Sequence, residues 1–333
     1  MQPTASNQFF SFKNPLLLLI LAQCFFIILG KTYLDFSVLW IDILAVLAMA
    51  IISEIGFSKL SKSPTRFPGS AITAALGISI FFRASSPWYF CFAGFIAIAS
   101  KYLIKKSKDS HIFNPSNFAI LLSSFLFYPK GYIALSEWGQ NPYIFLILAA
   151  IALFVAYRAK VLYATFSFLA FYSILFIALF PWFNNLISHV GLLSPSLILL
   201  ACFMITDPKT MPQGNSARIM HGVSVALIYF TLKMMFATHD IFLPTLTDFI
   251  LKVIFVTYDI FLATFLITIL NLCSEFITKK FIRPDSRYIK TKNTLTLVFV
   301  SITFIVFVTQ AAISHKNNNQ DLNFQFNYLL FKY

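Results

Sequence analysis

Apolar residues in this chain gather into long runs parted by short polar stretches. Eleven runs stand out, at about 15–30, 37–56, 70–83, 87–104, 114–128, 143–157, 162–181, 192–206, 219–237, 250–277 and 293–313. A bilayer core takes roughly 20 mostly apolar residues per helix. The pattern therefore predicts an all-α integral membrane protein with ten to eleven transmembrane helices. The third and fifth runs are short. Backbone polar groups in hydrocarbon must be bonded internally, so these two should be tilted, broken or shielded by neighbours. The stretch 129–142 divides the first ten runs into two sets of five, 15–128 and 143–280. That spacing permits an internal repeat of the kind many transporters use. Around this 15–280 membrane domain lie a polar N-terminal segment (1–14), a basic loop (281–292), an additional helix (293–313) and a polar tail (314–333).

Composition removes the soluble alternatives. The chain is 59% hydrophobic and 11% charged, with a mean hydropathy of +0.79. Soluble domains carry about 25% charged residues, so a soluble enzyme or a nucleic-acid binder is excluded. The net charge of +13 has a membrane explanation. Basic residues collect in alternate loops, among them Lys59, Lys62 and Arg66, then Lys105, Lys106 and Lys108, then Arg158 and Lys160. The positive-inside rule makes those loops cytoplasmic, which places the N-terminus inside a bacterial inner membrane. Trp40, Trp88, Trp138 and Trp182 then all fall on the outer side, where Trp favours the interface. Segment 1–14 carries only Lys13 and no A-x-A-like cleavage site, so the first run is read as a retained helix. The four cysteines are isolated within runs and read as small core residues. Neither a disulfide framework nor a metal site is indicated, and the five histidines do not pair as haem ligands.

Polar residues inside the runs are the candidate chemistry, because intramembrane ionisable groups are costly and face the bundle interior. Asp259 lies deepest and Asp42 nearer an outer end; both are candidates for an ion path. Asn114-Pro115 reads as a helix start, with Asn as the cap and Pro preorganised at the first helical position. Thr206-Asp207-Pro208 reads as a helix stop. An Asp at a helix C-terminus is electrostatically unfavourable, so Asp207 calls for a specific partner.

Taken in order, these residues resemble a known family. They are Glu54 before a basic loop, Gly69-Ser70-Ala71 opening a short third run, and Lys101 closing the fourth. Asn114-Pro115, Thr206-Asp207-Pro208, Arg218 with Gly222, and Asn271 late in the tenth run come after them. The pattern is similar to the NqrB/RnfD family over roughly 15–280. Members of that family are integral-membrane subunits of the sodium-pumping NADH:quinone oxidoreductase and of the Rnf electron-transport complex. The resemblance implies two five-helix bundles in a urea-channel-like architecture, with the run at 293–313 added. It also implies redox-coupled ion movement, with FMN joined through phosphate to a Thr of a Ser-Gly-Ala-Thr motif in the loop after the fifth span. Here that loop, 129–142, holds no Thr, and Ser-Gly-Ala-Thr occurs nowhere in the chain. Covalent FMN is therefore not expected, and any flavin would be held non-covalently.

The chain is then expected to be a membrane subunit of, or accessory to, a redox-driven electron-transport or ion-translocating complex. Partner membrane or redox subunits would carry the remaining steps, and no catalytic residue is assigned. The alternative is a non-redox transporter or channel for ions or small solutes on the same shell. A membrane protein of a biosynthetic gene cluster is a variant of that alternative.

Overall fold

The computed structural model describes residues 14–61, 67–107, 110–139, 141–179, 194–207, 210–212 and 214–242. These are mostly helical, with nine α-helices among them. In chain order they are α1 (Pro15–Tyr33), α2 (Trp40–Leu60), α3 (Gly69–Phe81), α4 (Pro87–Leu103), α5 (Pro115–Phe127), α6 (Pro142–Arg158), α7 (Leu162–Leu179), α8 (Pro195–Leu199) and α9 (Asn215–Phe242). The first seven apolar runs coincide with α1 to α7 to within a few residues, the eighth contains α8 and continues beyond it, and the ninth lies within α9. The runs at 250–277 and 293–313, and with them Asp259 and Asn271, lie outside the described residues, as do Pro208 and Trp182.

Helices α1, α2 and α7 are long and apolar enough to cross a bilayer, and three such spans point to a multi-pass membrane protein. Only 22–33% of their apolar windows is buried within the protein. Leu21, Ile28, Leu44, Ile52, Ile174 and Ile177 stand exposed on their outer faces. Exposed apolar surface of this extent requires a partner, and for apolar helices of spanning length that partner is lipid.

The helix starts share one device. Asn14, Asn114 and Asn141 each cap a helix whose first residue is Pro, and each Oδ1 accepts an N–H two residues on, at 2.9–3.1 Å. Asn-Pro is thus a general helix opener in this chain. What distinguishes Asn114 is its surroundings.

Helices α3 and α5 have 13 residues each. At 1.5 Å per residue they reach about 20 Å, short of a hydrocarbon core about 30 Å thick. The chain solves this by pairing their C-terminal extensions. Strand β1 (Phe82–Ala84) continues from α3, and the strand Gly131–Ile133 lies beyond α5. They pair antiparallel in the register Phe82↔Ile133, Arg83↔Tyr132 and Ala84↔Gly131. Two flanking bonds, Ser85 N to Lys130 O and Ala134 N to Phe81 O, extend the ribbon at 2.9 Å each. Backbone that leaves helical geometry is thereby satisfied inside the protein. Helix α3 can sit centrally because it is rich in Ala, Gly and Ser: Ala71, Ala75 and Ile78 are wholly buried.

The ribbon ends of these elements are joined by a buried charge cluster that no sequence pattern singles out. Arg83 is 2% exposed. Its Nη2 lies 2.5 Å from Glu137 Oε2, and its Nη1 donates to the carbonyls of Ser79 and Phe82 at 2.9 and 2.8 Å. The guanidinium also lies 4.7 Å from the centre of the Phe36 ring. Glu137 in turn accepts from Ser37 Oγ at 2.5 Å. One ion pair thus ties β1, the 129–142 loop and the α1–α2 connection.

Trp138 differs from its expected place. It is completely buried, set edge-on to Phe36 at 4.8 Å and to Phe26 at 6.4 Å. The loop folds back over the helix ends, so this indole belongs to the core. Trp40 and Trp88, 56% and 76% exposed, keep the position an interface residue would have.

Close helix crossings need glycine at two places. Gly94 of α4 faces the Val46 carbonyl of α2, which an added Cβ would approach to 2.9 Å. Gly222 of α9 lies against α7, where a Cβ would strike Ser167 Oγ and the Ala164 carbonyl. Backbone cannot yield as a side-chain tip can. Gly222→Ala is therefore expected to lower the thermal midpoint of the detergent-solubilised protein, at a cost of about 1–3 kcal/mol. An unchanged midpoint would contradict this crossing.

Candidate functional site

The two polar motifs meet. Asn114 at the start of α5 and the Thr206-Asp207 turn, far along the chain, line one cavity of about 390 Å³. Asn114 Nδ2 points to the Met204 carbonyl in a long contact of 3.5 Å. The cavity lies at the seam between helices that precede the 129–142 loop and elements that follow it. Before the loop come the start of α1, α3 and α5 and the end of α4; after it come the end of α6 and the turn after α8.

That turn is unusual. The eighth run predicts one helix, but after α8 the chain widens into a π-helical turn, Leu200–Met204. Ile205 N reaches the Leu200 carbonyl five residues back, at 3.1 Å. Widening displaces carbonyls from their usual partners, and hydroxyls take them up. Thr165 Oγ1 on α7 donates to Ala201 O at 3.1 Å, and Thr206 Oγ1 donates to Cys202 O. Beyond them, Asp207 O accepts from the N–H groups of Thr210 and Met211. The Thr of the motif is thus a backbone clamp, and π-turns of this kind recur at functional sites.

At the mouth, Lys101 closes α4. Its Nζ lies 2.6 Å from both Glu54 oxygens and 2.6 Å from Ser70 Oγ. Tyr102 OH donates to Glu54 Oε1 at 3.1 Å. Glu54, Ser70 and Lys101, three positions of the expected pattern on three different helices, therefore form one polar knot. Lys101 touches the cavity, but its three donors are engaged by this knot. The α5 start is equally self-contained, because Asn114 Oδ1 accepts from Ser116 N, Ser116 Oγ and Asn117 N. These groups shape the mouth; they are not idle donors waiting for an anion.

The deep end has a different character. Leu19, Ala74, Val155, Ala156 and Phe203 make it apolar. Gln23 of α1 is 5% exposed and lines the cavity. Its Nε2 donates to Thr73 O at 3.2 Å, while its Oε1 is buried without a hydrogen-bond partner. A buried acceptor left unmatched costs about 1–3 kcal/mol. Gln23 lies nine residues beyond the Asn14 cap, about 13 Å along the helix. The cavity is thus elongated, with a polar mouth, apolar walls and one waiting acceptor inside. Sequence reasoning misses Gln23 because one amide in an apolar run carries no pattern.

The remaining expected residues are elsewhere. Asp42 is buried at the first turn of α2, where Oδ2 accepts from Leu39 N at 2.9 Å. This gives it a capping role at the opposite end of the helix from Glu54. Gly222 serves the α7–α9 crossing described above. No protein-family model matches the chain, and no curated protein matches it.

Proposed function

We propose that this chain is the membrane-embedded subunit of, or an accessory to, a redox-driven electron-transport assembly, on a shell resembling that of the NqrB/RnfD family. In this proposal the seam cavity holds a flat amphiphile, a flavin bound non-covalently. The observation that carries it is the convergence of Asn114-Pro115 and Thr206-Asp207 on one cavity with Gln23 Oε1 inside. A volume of about 390 Å³ falls within the roughly 300–1,000 Å³ of small-molecule sites. An isoalloxazine ring brings N–H donors to match the Gln23 acceptor and an apolar body to match the walls. The protein then contributes binding, orientation and electrostatics, and the cofactor brings the electron chemistry.

The test is direct. Protein purified in mild detergent should show flavin absorbance, or quench added riboflavin fluorescence. Gln23→Leu should weaken that binding about tenfold, equivalent to one hydrogen bond near 1.4 kcal/mol. Flavin-free protein that quenches neither riboflavin nor FMN would sink the proposal.

A second function is favoured by the shortness of α3 and α5. Interrupted helices near the midplane are common in transporters, so the same shell could pass an ion or small solute. Proton, sodium and small-solute flux into liposomes, measured with Asp259→Asn beside the parent, decides it. Flux unaltered by that substitution removes the version that runs past Asp259.

A further inference from the structure

A second opening lies outside the seam cavity, where the α6–α7 turn meets the start of α9. It is an open groove of about 880 Å³, whose walls include Tyr157, Lys160, Tyr163, Phe166, Arg218 and Ile219. Its apolar side is strongly exposed: Tyr157 64%, Tyr163 51% and Phe166 53%. Its polar side is cationic. Arg218 Nη1 donates to the Lys160 carbonyl at 2.7 Å, while Arg218 Nε is buried without a hydrogen-bond partner. Among the described residues, neither Lys160 nor Arg218 has a carboxylate within ion-pair distance.

The turn is built to present these groups. Lys160 adopts φ +58°, a left-handed conformation that side chains other than Gly rarely take. The turn is closed by Val161 N to Ala156 O at 3.1 Å, and the Arg218 guanidinium satisfies the Lys160 carbonyl that this geometry exposes. The guanidinium is thereby fixed on the Lys160 carbonyl at the wall of the groove. The groove sits at the end of the bundle that carries the cavity mouth and the basic loops. Aromatic rings at the membrane boundary beside fixed cations are the composition of a lipid headgroup site.

We propose that this groove binds an acidic glycerophospholipid of the adjoining leaflet. Arg218 and Lys160 hold the phosphate, and an acyl chain lies along Tyr163 and Phe166 on the outer face of α7. The proposal rests on the membrane-spanning character of the chain and is independent of the occupant of the seam cavity.

Delipidated protein in detergent provides the test, with phosphatidylglycerol as the probe and bound lipid counted by native mass spectrometry. Phosphatidylglycerol should be retained and should raise the thermal midpoint; phosphatidylcholine and inorganic phosphate should do neither. Lys160→Gln and Arg218→Gln should each weaken retention about fivefold, the contribution of one basic residue at an anionic surface. Lys160→Gln leaves the backbone contact to Arg218 in place, so it keeps the test valid if Arg218→Gln fails to fold. Equal retention of phosphatidylcholine, undiminished retention by Lys160→Gln, or displacement of the lipid by inorganic phosphate would each overturn the proposal.

Discussion

Glu137→Ala is expected to destabilise the protein by about 3–5 kcal/mol, the range for stripping the partner from a buried ion. Arg83 is 2% exposed and cannot reach water. Without Glu137 it keeps two backbone carbonyls and the face of Phe36, but no compensating charge. Arg83→Met should cost less. It leaves behind Glu137, whose side chain is 19% exposed and can be solvated, and it replaces the guanidinium with an apolar chain that suits the surrounding core. The asymmetry is the useful part of the prediction. Thermal midpoints in one detergent, with size-exclusion profiles of both variants, would measure it. Equal loss in the two variants would mean that Arg83 finds water after all.

The second large effect concerns Glu54 and Lys101. Their side chains are 16% and 10% exposed, so the pair is slightly wetter than Arg83–Glu137. Glu54→Gln should cost about 2–3 kcal/mol, below the fully buried range because water reaches the mouth. The amide keeps the shape, but it leaves the Lys101 ammonium at an apolar boundary with only neutral partners, among them Ser70 Oγ. Lys101→Met should cost a similar amount by stranding the carboxylate beside Tyr102. Combining the two should restore stability relative to the sum of the single effects, with a coupling of about 1–2 kcal/mol. Additive losses in urea or thermal unfolding would show that the two groups are held by other partners.

Much of this architecture is legible in the chain because a bilayer converts length into structure. Apolar runs mark the helix bounds from α1 to α7 to within a few residues, and Asn-Pro marks three of the helix starts. The shortness of the third and fifth runs announces an irregularity, but its remedy cannot be read. The strands that pair, Phe82–Ala84 and Gly131–Ile133, are three residues each and too short for an alternation signal. Arg83 and Glu137, 54 residues apart, lie one at the end of a run and the other in a loop. Nothing in either neighbourhood indicates the other. The π-turn escapes notice for a local reason: a widened turn has the same apolar composition as a helix. Its one trace is Thr206, whose hydroxyl serves the Cys202 carbonyl. The candidate residues are individually visible, and their meeting at the seam is a tertiary fact. Glu54, Lys101, Asn114 and Thr206 come together, while Asp42 stays at the far end with a capping task.

The antiparallel ribbon that completes the two short helices also decides traffic. Beyond Gln23 the chain offers Phe26, then Trp138, then the Arg83–Glu137 pair under a zipped stretch of backbone. Among the described residues, a guest that enters at the polar mouth meets this wall behind Gln23. Residence is easy in such a vestibule. Passage by this route would require unfastening an ion pair and several backbone bonds in every cycle. Among the described residues the vestibule is built like a socket, with Phe26 and Trp138 as its floor.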